Sequence, residues 1–247
     1  MAGASASCGA GRRGAAALNT WNGQAAMTIN IFRFWKKIKA HETIHPADQE
    51  VFGRVGQRGH GLDLRCLPCP FGGPLKTAPV VLLFLSPGFD RSDLKDARTP
   101  QGRRRYVLQR AGLQPLQDEG PTSKWLLSRT KAFGIDYQTA RRKIAVLNIG
   151  AYHSKNFADH ALLAALPSSR VSLEWAQDVL FPQAMRKERA VVCLRASHFW
   201  GLAEGMSHGF LFVPSVTRAG HMKKSSREQQ KMRQDIIRAV RTAITKL

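Results

Sequence analysis

Short runs of apolar residues alternate along this chain with longer segments in which apolar and polar residues mix. Four such runs predict β-strands, at 80–85 and at the start of the segments 143–157, 190–202 and 209–221. Their apolar residues are continuous, as in strands that are buried on both faces of a sheet, where alternation with polar residues would indicate one exposed face.

The segments between and after these runs have the pattern of helices. Segment 171–188 is amphipathic and carries Pro182, which predicts a kink. Strands that alternate with helices predict an α/β fold, and we expect a three-layer αβα sandwich around a central, mainly parallel four-stranded sheet. Segment 51–79 is rich in Gly and Pro and looks irregular. The remaining predicted helices are 29–40, which is short, basic and amphipathic, 101–113, 123–134 and 226–247.

The chain divides into three parts by composition. Residues 1–26 contain no acidic residue and are expected to be disordered or a non-native extension, with a transit peptide or a start at Met27 as the alternatives. Residues 27–62 form a basic N-terminal segment. Residues 63–247 hold the predicted strands and are expected to form the α/β domain.

All four predicted strands end in polar residues. In open α/β sheets, ligands bind beyond the carboxyl ends of the strands, so these residues define a candidate site. They are Ser86, Pro87, Gly88, Phe89 and Asp90 after the first strand, Asn148, Tyr152, His153, Ser154 and Lys155 after the second, Arg195 after the third, and Pro214, Ser215, Arg218 and His221 after the fourth.

The charge of the chain points to a polyanionic partner. Lys and Arg number 38 against 17 Asp and Glu, which gives a net charge of +21. Nucleic acid is the first candidate and an anionic membrane surface the second. No apolar run approaches the ~18–20 residues that span a bilayer, so we expect a cytoplasmic monomer without a membrane span.

Motifs for metals and cofactors are incomplete. Cys66 and Cys69 form a CxxC without a second pair, and the HExxH pattern at 41–45 is followed at once by Pro46, which disfavours the continuous helix that this motif needs. Phosphate-binding and dinucleotide-binding glycine motifs are also missing. We therefore expect no metal, no cofactor and reduced cysteines.

The order of the strand ends resembles the uracil-DNA glycosylase superfamily, in particular its mismatch-specific and single-strand-selective branches and their uncharacterised relatives. Ser86-Pro87-Gly88 stands where those branches have Asn-Pro-Gly, and Asn148 ends the second strand. Val213-Pro214-Ser215 stands where the fourth strand usually ends in His-Pro-Ser. The resemblance covers about residues 63 to 245.

The resemblance implies chemistry on a base that is rotated out of its helix. Ser86 would hold the attacking water, with Asp90 and His153 as further catalytic candidates. The implied base-binding residues are Pro87, Gly88, Phe89, Asn148, Tyr152, Ser154, Pro214 and Ser215. Those implied to contact DNA, in preference to RNA, are Lys155, Arg195, Arg218 and His221.

Two departures from the family pattern bear on catalysis. Ser86 lacks the charge of an Asp, and Val213 cannot donate the hydrogen bond of a His. Because the loss of one such donor typically costs ~10²–10³ in rate, we expect a domain that binds nucleic acid or a free nucleobase, with altered, weak or absent hydrolysis of N-glycosidic bonds. The alternatives are a hydrolase with a replacement catalytic set and a non-enzymatic basic scaffold on the same fold. In the scaffold, Lys and Arg would not surround the strand-end cleft.

Overall fold

The structure is a computed structural model that describes residues 29–56, 59–157 and 159–246. The expectation for residues 1–26 lies outside this range. The described chain forms an α/β protein with one six-stranded, mixed and mostly parallel sheet. Its strands are β1 (Phe71–Gly72), β2 (Val80–Phe84), β3 (Ile144–Asn148), β4 (Ala190–Cys193), β5 (Ser207–His208) and β6 (Leu211–Phe212).

The strand order across the sheet is β1-β3-β2-β4-β6-β5. Strands β3, β2, β4 and β6 are parallel, and β1 and β5 pair antiparallel at the two edges. The four predicted strands are confirmed and form the parallel centre. The sheet has six strands, so the prediction of four is wrong. The two edge strands have two residues each, which is too short for a periodic pattern of apolar residues in the sequence.

Residues of the central strands alternate between two hydrophobic clusters. In β2, Val81 and Leu83 belong to one cluster, and Val80, Leu82 and Phe84 to the other. Both clusters also contain buried helical residues, so helices pack against both faces of the sheet. This double burial explains why the strands are apolar at every position.

The helices cover most of the chain between the strands. Pro182 lies in the first turn of α9, and a π-helical turn at Ala176–Leu180 precedes it, as expected where a Pro interrupts the hydrogen bonds of a helix. The α-helices are α1 (Ile31–Trp35), α2 (Gln49–Val55), α3 (Arg91–Arg98), α4 (Pro100–Arg110), α5 (Pro121–Thr130), α6 (Tyr137–Lys143), α7 (His160–Ala165), α8 (Pro167–Trp175), α9 (Phe181–Met185) and α10 (Arg227–Thr245).

The N-terminal segment packs into the same core as the sheet. Ile31 and Trp35 of α1 and Phe52 of α2 are buried in the cluster that contains Val81 and Leu83. The Gly- and Pro-rich segment 51–79 contains the last five residues of α2 and the whole of β1, neither of which the sequence predicted. Across the described residues, no helix combines the length and the apolar character needed to cross a membrane.

Candidate nucleic-acid interface

The corner Ser86-Pro87-Gly88 and the turn after β3 are joined by hydrogen bonds. The Gly150 N–H donates to the Leu85 carbonyl at 2.8 Å, and the Ser154 N–H donates to the Pro87 carbonyl at 3.2 Å. Because β2 and β3 are adjacent and parallel, their carboxyl ends meet at one edge of the sheet. The structure thus brings the two predicted strand ends together as one unit.

His153 is buried at the centre of this unit. Its Nδ1 lies 2.7 Å from the Gly88 carbonyl oxygen and 3.2 Å from Oδ2 of Asp93, and its Nε2 lies 3.4 Å from the Tyr106 hydroxyl. Only 4% of its surface is exposed. These contacts hold the corner against α3 and α4 and give the imidazole a positioning role in this structure.

Asp90 is the N-cap residue of helix α3. Its Oδ1 accepts a hydrogen bond from the Ser92 N–H at 2.9 Å, and its own N–H donates to Oδ2 of Asp93 at 2.7 Å, which completes a capping box. The hydrogen bond from Ser92 lowers the pKa of the Asp90 carboxyl. The carboxylate that the sequence suggested as catalytic therefore serves as a helix cap here.

Asn148 and Tyr152 also bond within the protein. The Asn148 amide donates to the Cys69 carbonyl at 3.0 Å, and the Tyr152 hydroxyl donates to Oδ2 of Asp48 at 2.5 Å. Burial raises the pKa of Tyr152 well above its ordinary value, and the charge of Asp48 raises it further. Ser154 is buried beside them, and its hydroxyl has no hydrogen-bond partner among the described residues.

The ends of β4 and β6 have contacts of their own. Ser215 donates its hydroxyl to Oε1 of Glu204 at 2.6 Å, and Arg195 donates from its guanidinium to the Arg218 carbonyl. Pro214 is buried and His221 is exposed. The hydrogen bonds of the described residues connect the Ser86 corner to the turn after β3, and connect neither of them to Ser215 or Arg218.

An open cavity of about 1030 Å³ is lined by Phe89, the residue that follows the corner, while Ser86, Pro87 and Gly88 do not line it. We call it the basic groove, after the cations that line it: Arg65, Arg91, Lys95, Arg98 and Lys155. The other lining residues are Thr43, Ile44, Gly61, Leu62, Asp63, Leu64, Phe89, Leu94 and Thr99. Phe89 and Lys155 were expected at the site from the sequence. Lys155 places its Nζ 5.1 Å from the centre of the Phe89 ring.

Helix α3 provides three of these cations. Arg91, Lys95 and Arg98 are all exposed and stand at positions i, i+4 and i+7, which lie on one face of a helix. At 1.5 Å per residue, they span about 10 Å. The sequence analysis predicted no helix here, because α3 has few apolar residues, and so did not include these three cations in the site. The spacing of Asp90 and Asp93, which matches a capping box, was the available signal.

Asp63 offsets one of the remaining cations. The Arg65 guanidinium donates to both carboxylate oxygens of Asp63, at 2.9 and 2.6 Å. These bonds lower the pKa of Asp63 and raise the pKa of Arg65. The uncompensated positive charge of the basic groove therefore comes from α3 and Lys155.

The described residues form no cluster of His, Cys, Asp and Glu that could hold a metal ion. His45 of the HExxH pattern is buried and caps the turn at Pro46–Asp48, whereas His41 is exposed. Cys66 and Cys69 are free thiols, and burial raises the pKa of each to about 12.

A scan against models of known protein families and a search of curated proteins find no match to this chain. The resemblance to the uracil-DNA glycosylase superfamily therefore rests on the motifs of the sequence. The structure shows an α/β fold with a mostly parallel sheet and a basic groove next to Phe89.

Proposed function

We propose that this protein is a uracil-DNA glycosylase-like, three-layer αβα domain that binds nucleic acid in the basic groove, DNA in preference to RNA. The observation that carries the proposal is the row of Arg91, Lys95 and Arg98 beside the Ser86 corner. In this proposal the three cations contact successive phosphates and Phe89 lies against a base or sugar.

Electrostatics supports this proposal. A chain of net charge +21 attracts polyanions at long range, and each Lys or Arg that neutralises a phosphate releases counterions. The α3 cations are exposed, and no carboxylate of the described residues lies within ion-pair distance of Arg91, Lys95 or Arg98. They are thus free to exchange small counterions for phosphates.

The placement of charge favours this function over a basic scaffold. A scaffold would carry its Lys and Arg away from the strand-end cleft. Here Arg91 and Lys155 follow the ends of β2 and β3 and line the same cavity. In this proposal, a ligand at the carboxyl edge of the sheet contacts Arg91 and Lys155.

We further propose that hydrolysis of N-glycosidic bonds is weak or absent. Ser86 offers a hydroxyl in place of a charge, and Val213 is buried and apolar. The Asn148 amide already donates to the Cys69 carbonyl, and Asp90 caps α3. The residues that would stabilise an oxocarbenium ion and a departing base are thus replaced or engaged elsewhere.

Fluorescence anisotropy with labelled oligonucleotides tests the binding. Single-stranded DNA, duplex DNA, RNA and uracil-containing DNA of equal length are titrated at low salt, and abasic-site formation is measured on the uracil substrate. We expect salt-dependent binding to DNA and uracil release at the level of the protein-free control. Undetectable binding at low salt contradicts the proposal, and rapid uracil release contradicts its catalytic part.

A further inference from the structure

The basic groove is lined by two chemically different parts of the chain. Helix α3 contributes Arg91, Lys95 and Arg98, which are exposed and charged. Residues 43–44 and 61–65 contribute Ile44, Leu62 and Leu64, together with the small residues Thr43 and Gly61 and the paired Asp63 and Arg65. The net positive charge is on α3 and Lys155, whereas residues 43–44 and 61–65 are apolar apart from the neutralised Asp63–Arg65 pair. Leu94 of α3 and Phe89 add further apolar surface.

The apolar part has a defined position. Ile44, Leu62 and Leu64 are half-buried, with one side against the hydrophobic core and the rest of their surface toward the groove. Leu62 is held by a backbone bridge to Ser154, and Gly61 lies so close to the Asn156 carbonyl that a Cβ would be 2.3 Å from its oxygen. The segment is therefore fixed against the turn after β3.

We infer that the basic groove takes single-stranded nucleic acid, with phosphates on the α3 cations and base faces on the apolar side chains of Ile44, Leu62 and Leu64. A single strand exposes phosphates along one side and unpaired, apolar base faces along the other. A duplex stacks its bases inside and presents phosphates on its outer surface. The two-sided lining matches the single strand. This inference rests on the proposed nucleic-acid function and specifies its ligand.

The number of α3 cations sets the number of phosphates that the row can contact. The three cations span about 10 Å and offer one phosphate contact each. Three cations therefore accommodate about three nucleotides. Loss of three phosphate contacts on a single strand reduces the slope of log K against log salt by about 2.

The test compares a labelled single strand with a duplex of the same length and sequence by anisotropy. We expect the wild type to bind the single strand at least about tenfold more tightly. Leu62→Thr and Leu64→Thr, made separately, are each expected to weaken single-strand binding about fivefold and to leave duplex binding and the salt slope unchanged. Leu113→Thr is the matched control, because Leu113 is 55% exposed and lies outside the groove lining.

The outcomes separate the inference from the function on which it rests. Equal affinity for single strand and duplex, or single-strand affinity unchanged in both folded leucine variants, overturns the inference and leaves nucleic-acid binding in place. A chain that binds no oligonucleotide overturns both. Circular dichroism melting of each variant identifies any that fails to fold. The single-strand affinity of the variant that does fold then tests the inference.

Discussion

Tyr152 and Asp48 form a buried hydrogen-bonded pair that is not part of the basic groove lining. Asp48 is fully buried, with Oδ2 accepting from the Tyr152 hydroxyl and Oδ1 accepting from the Ser168 N–H at 2.9 Å. The Tyr152 oxygen also accepts from the His45 N–H at 3.2 Å. The pair ties the turn after β3 to the N-terminal segment and to the start of α8.

Tyr152→Phe is expected to lower the free energy of unfolding by about 1–3 kcal/mol, because it leaves a buried carboxylate oxygen without its donor. Urea denaturation measures the change. Tyr137→Phe is the matched control, since the Tyr137 hydroxyl donates to the Gln117 carbonyl in a half-exposed position where water can replace it. An unchanged stability of Tyr152→Phe would contradict the pair's role.

Cys66 and Cys69 are expected to resist alkylation in the native protein. Burial raises the pKa of each thiol to about 12, so at pH 8 only about one molecule in ten thousand carries the reactive thiolate. Iodoacetamide labelling followed by peptide mass spectrometry measures this. The urea-unfolded protein is the control and should label fully. Rapid native labelling of either thiol would contradict the described burial.

At the scale of elements, α3 links the corner to the basic groove. Its first turn is tied to Asp90 by the capping box and to His153 through Asp93, and its outer face carries Arg91 and the other two cations. The orientation of Arg91, Lys95 and Arg98 therefore depends on the stability of the first turn of α3.

Asp90→Ala is expected to lower the melting temperature at pH 7, by about 2–4 °C, whereas Asp90→Asn keeps an acceptor for the Ser92 N–H but loses the charge and should lie between wild type and Asp90→Ala. The folded-state pKa of Asp90 is lowered. Its stabilising contribution is thus present above the unfolded pKa of about 3.9 and is lost as the pH falls through the folded value.

The gap in melting temperature between wild type and Asp90→Ala should therefore narrow as the pH is lowered from 7 towards about 2.5, because protonation removes the charge of the cap. Differential scanning calorimetry across that range measures the gap. A gap that is constant with pH would show that the Asp90 charge does not contribute to the cap, and a gap of zero at pH 7 would contradict the capping role itself.

At the scale of the molecule, the parallel centre of the sheet was predictable and the groove was not. Strands such as β2 and β3 are short apolar runs, because each is buried on both faces, and this pattern is visible in the sequence. Strand β1 has two residues and has no such pattern. The sequence also predicted that the ends of β2 and β3 meet.

The groove and the engagement of site side chains depend on distant contacts. Leu62 and Leu64 come from an irregular segment, and no pattern in the sequence predicts that they line a cavity together with α3. The hydrogen bond of Asn148 to the Cys69 carbonyl joins residues that are 79 positions apart. Residue types at strand ends indicated where a site could lie, but only the packing shows which of their polar groups are already engaged.

Lys and Arg residues are spread over the whole chain, so the effect of removing groove charges on binding must be compared with that of removing the same number of charges elsewhere. Lys76, Arg142 and Lys187 are exposed and come shortly before β2, β3 and β4, which places them at the amino edge of the sheet, opposite the groove. The triple variant Lys76→Gln, Arg142→Gln and Lys187→Asn removes three charges there. Asn is chosen at 187 because Lys187 has a positive φ of 62°.

The most direct measurement is the salt dependence of single-stranded DNA binding for the wild type, this control and the groove variant Arg91→Gln, Lys95→Gln and Arg98→Gln. We predict that the groove variant binds much more weakly and that its slope of log K against log salt is smaller by about 2, while the control keeps the wild-type slope. Equal losses in the two variants would show that binding follows net charge alone and would contradict the assignment of the basic groove.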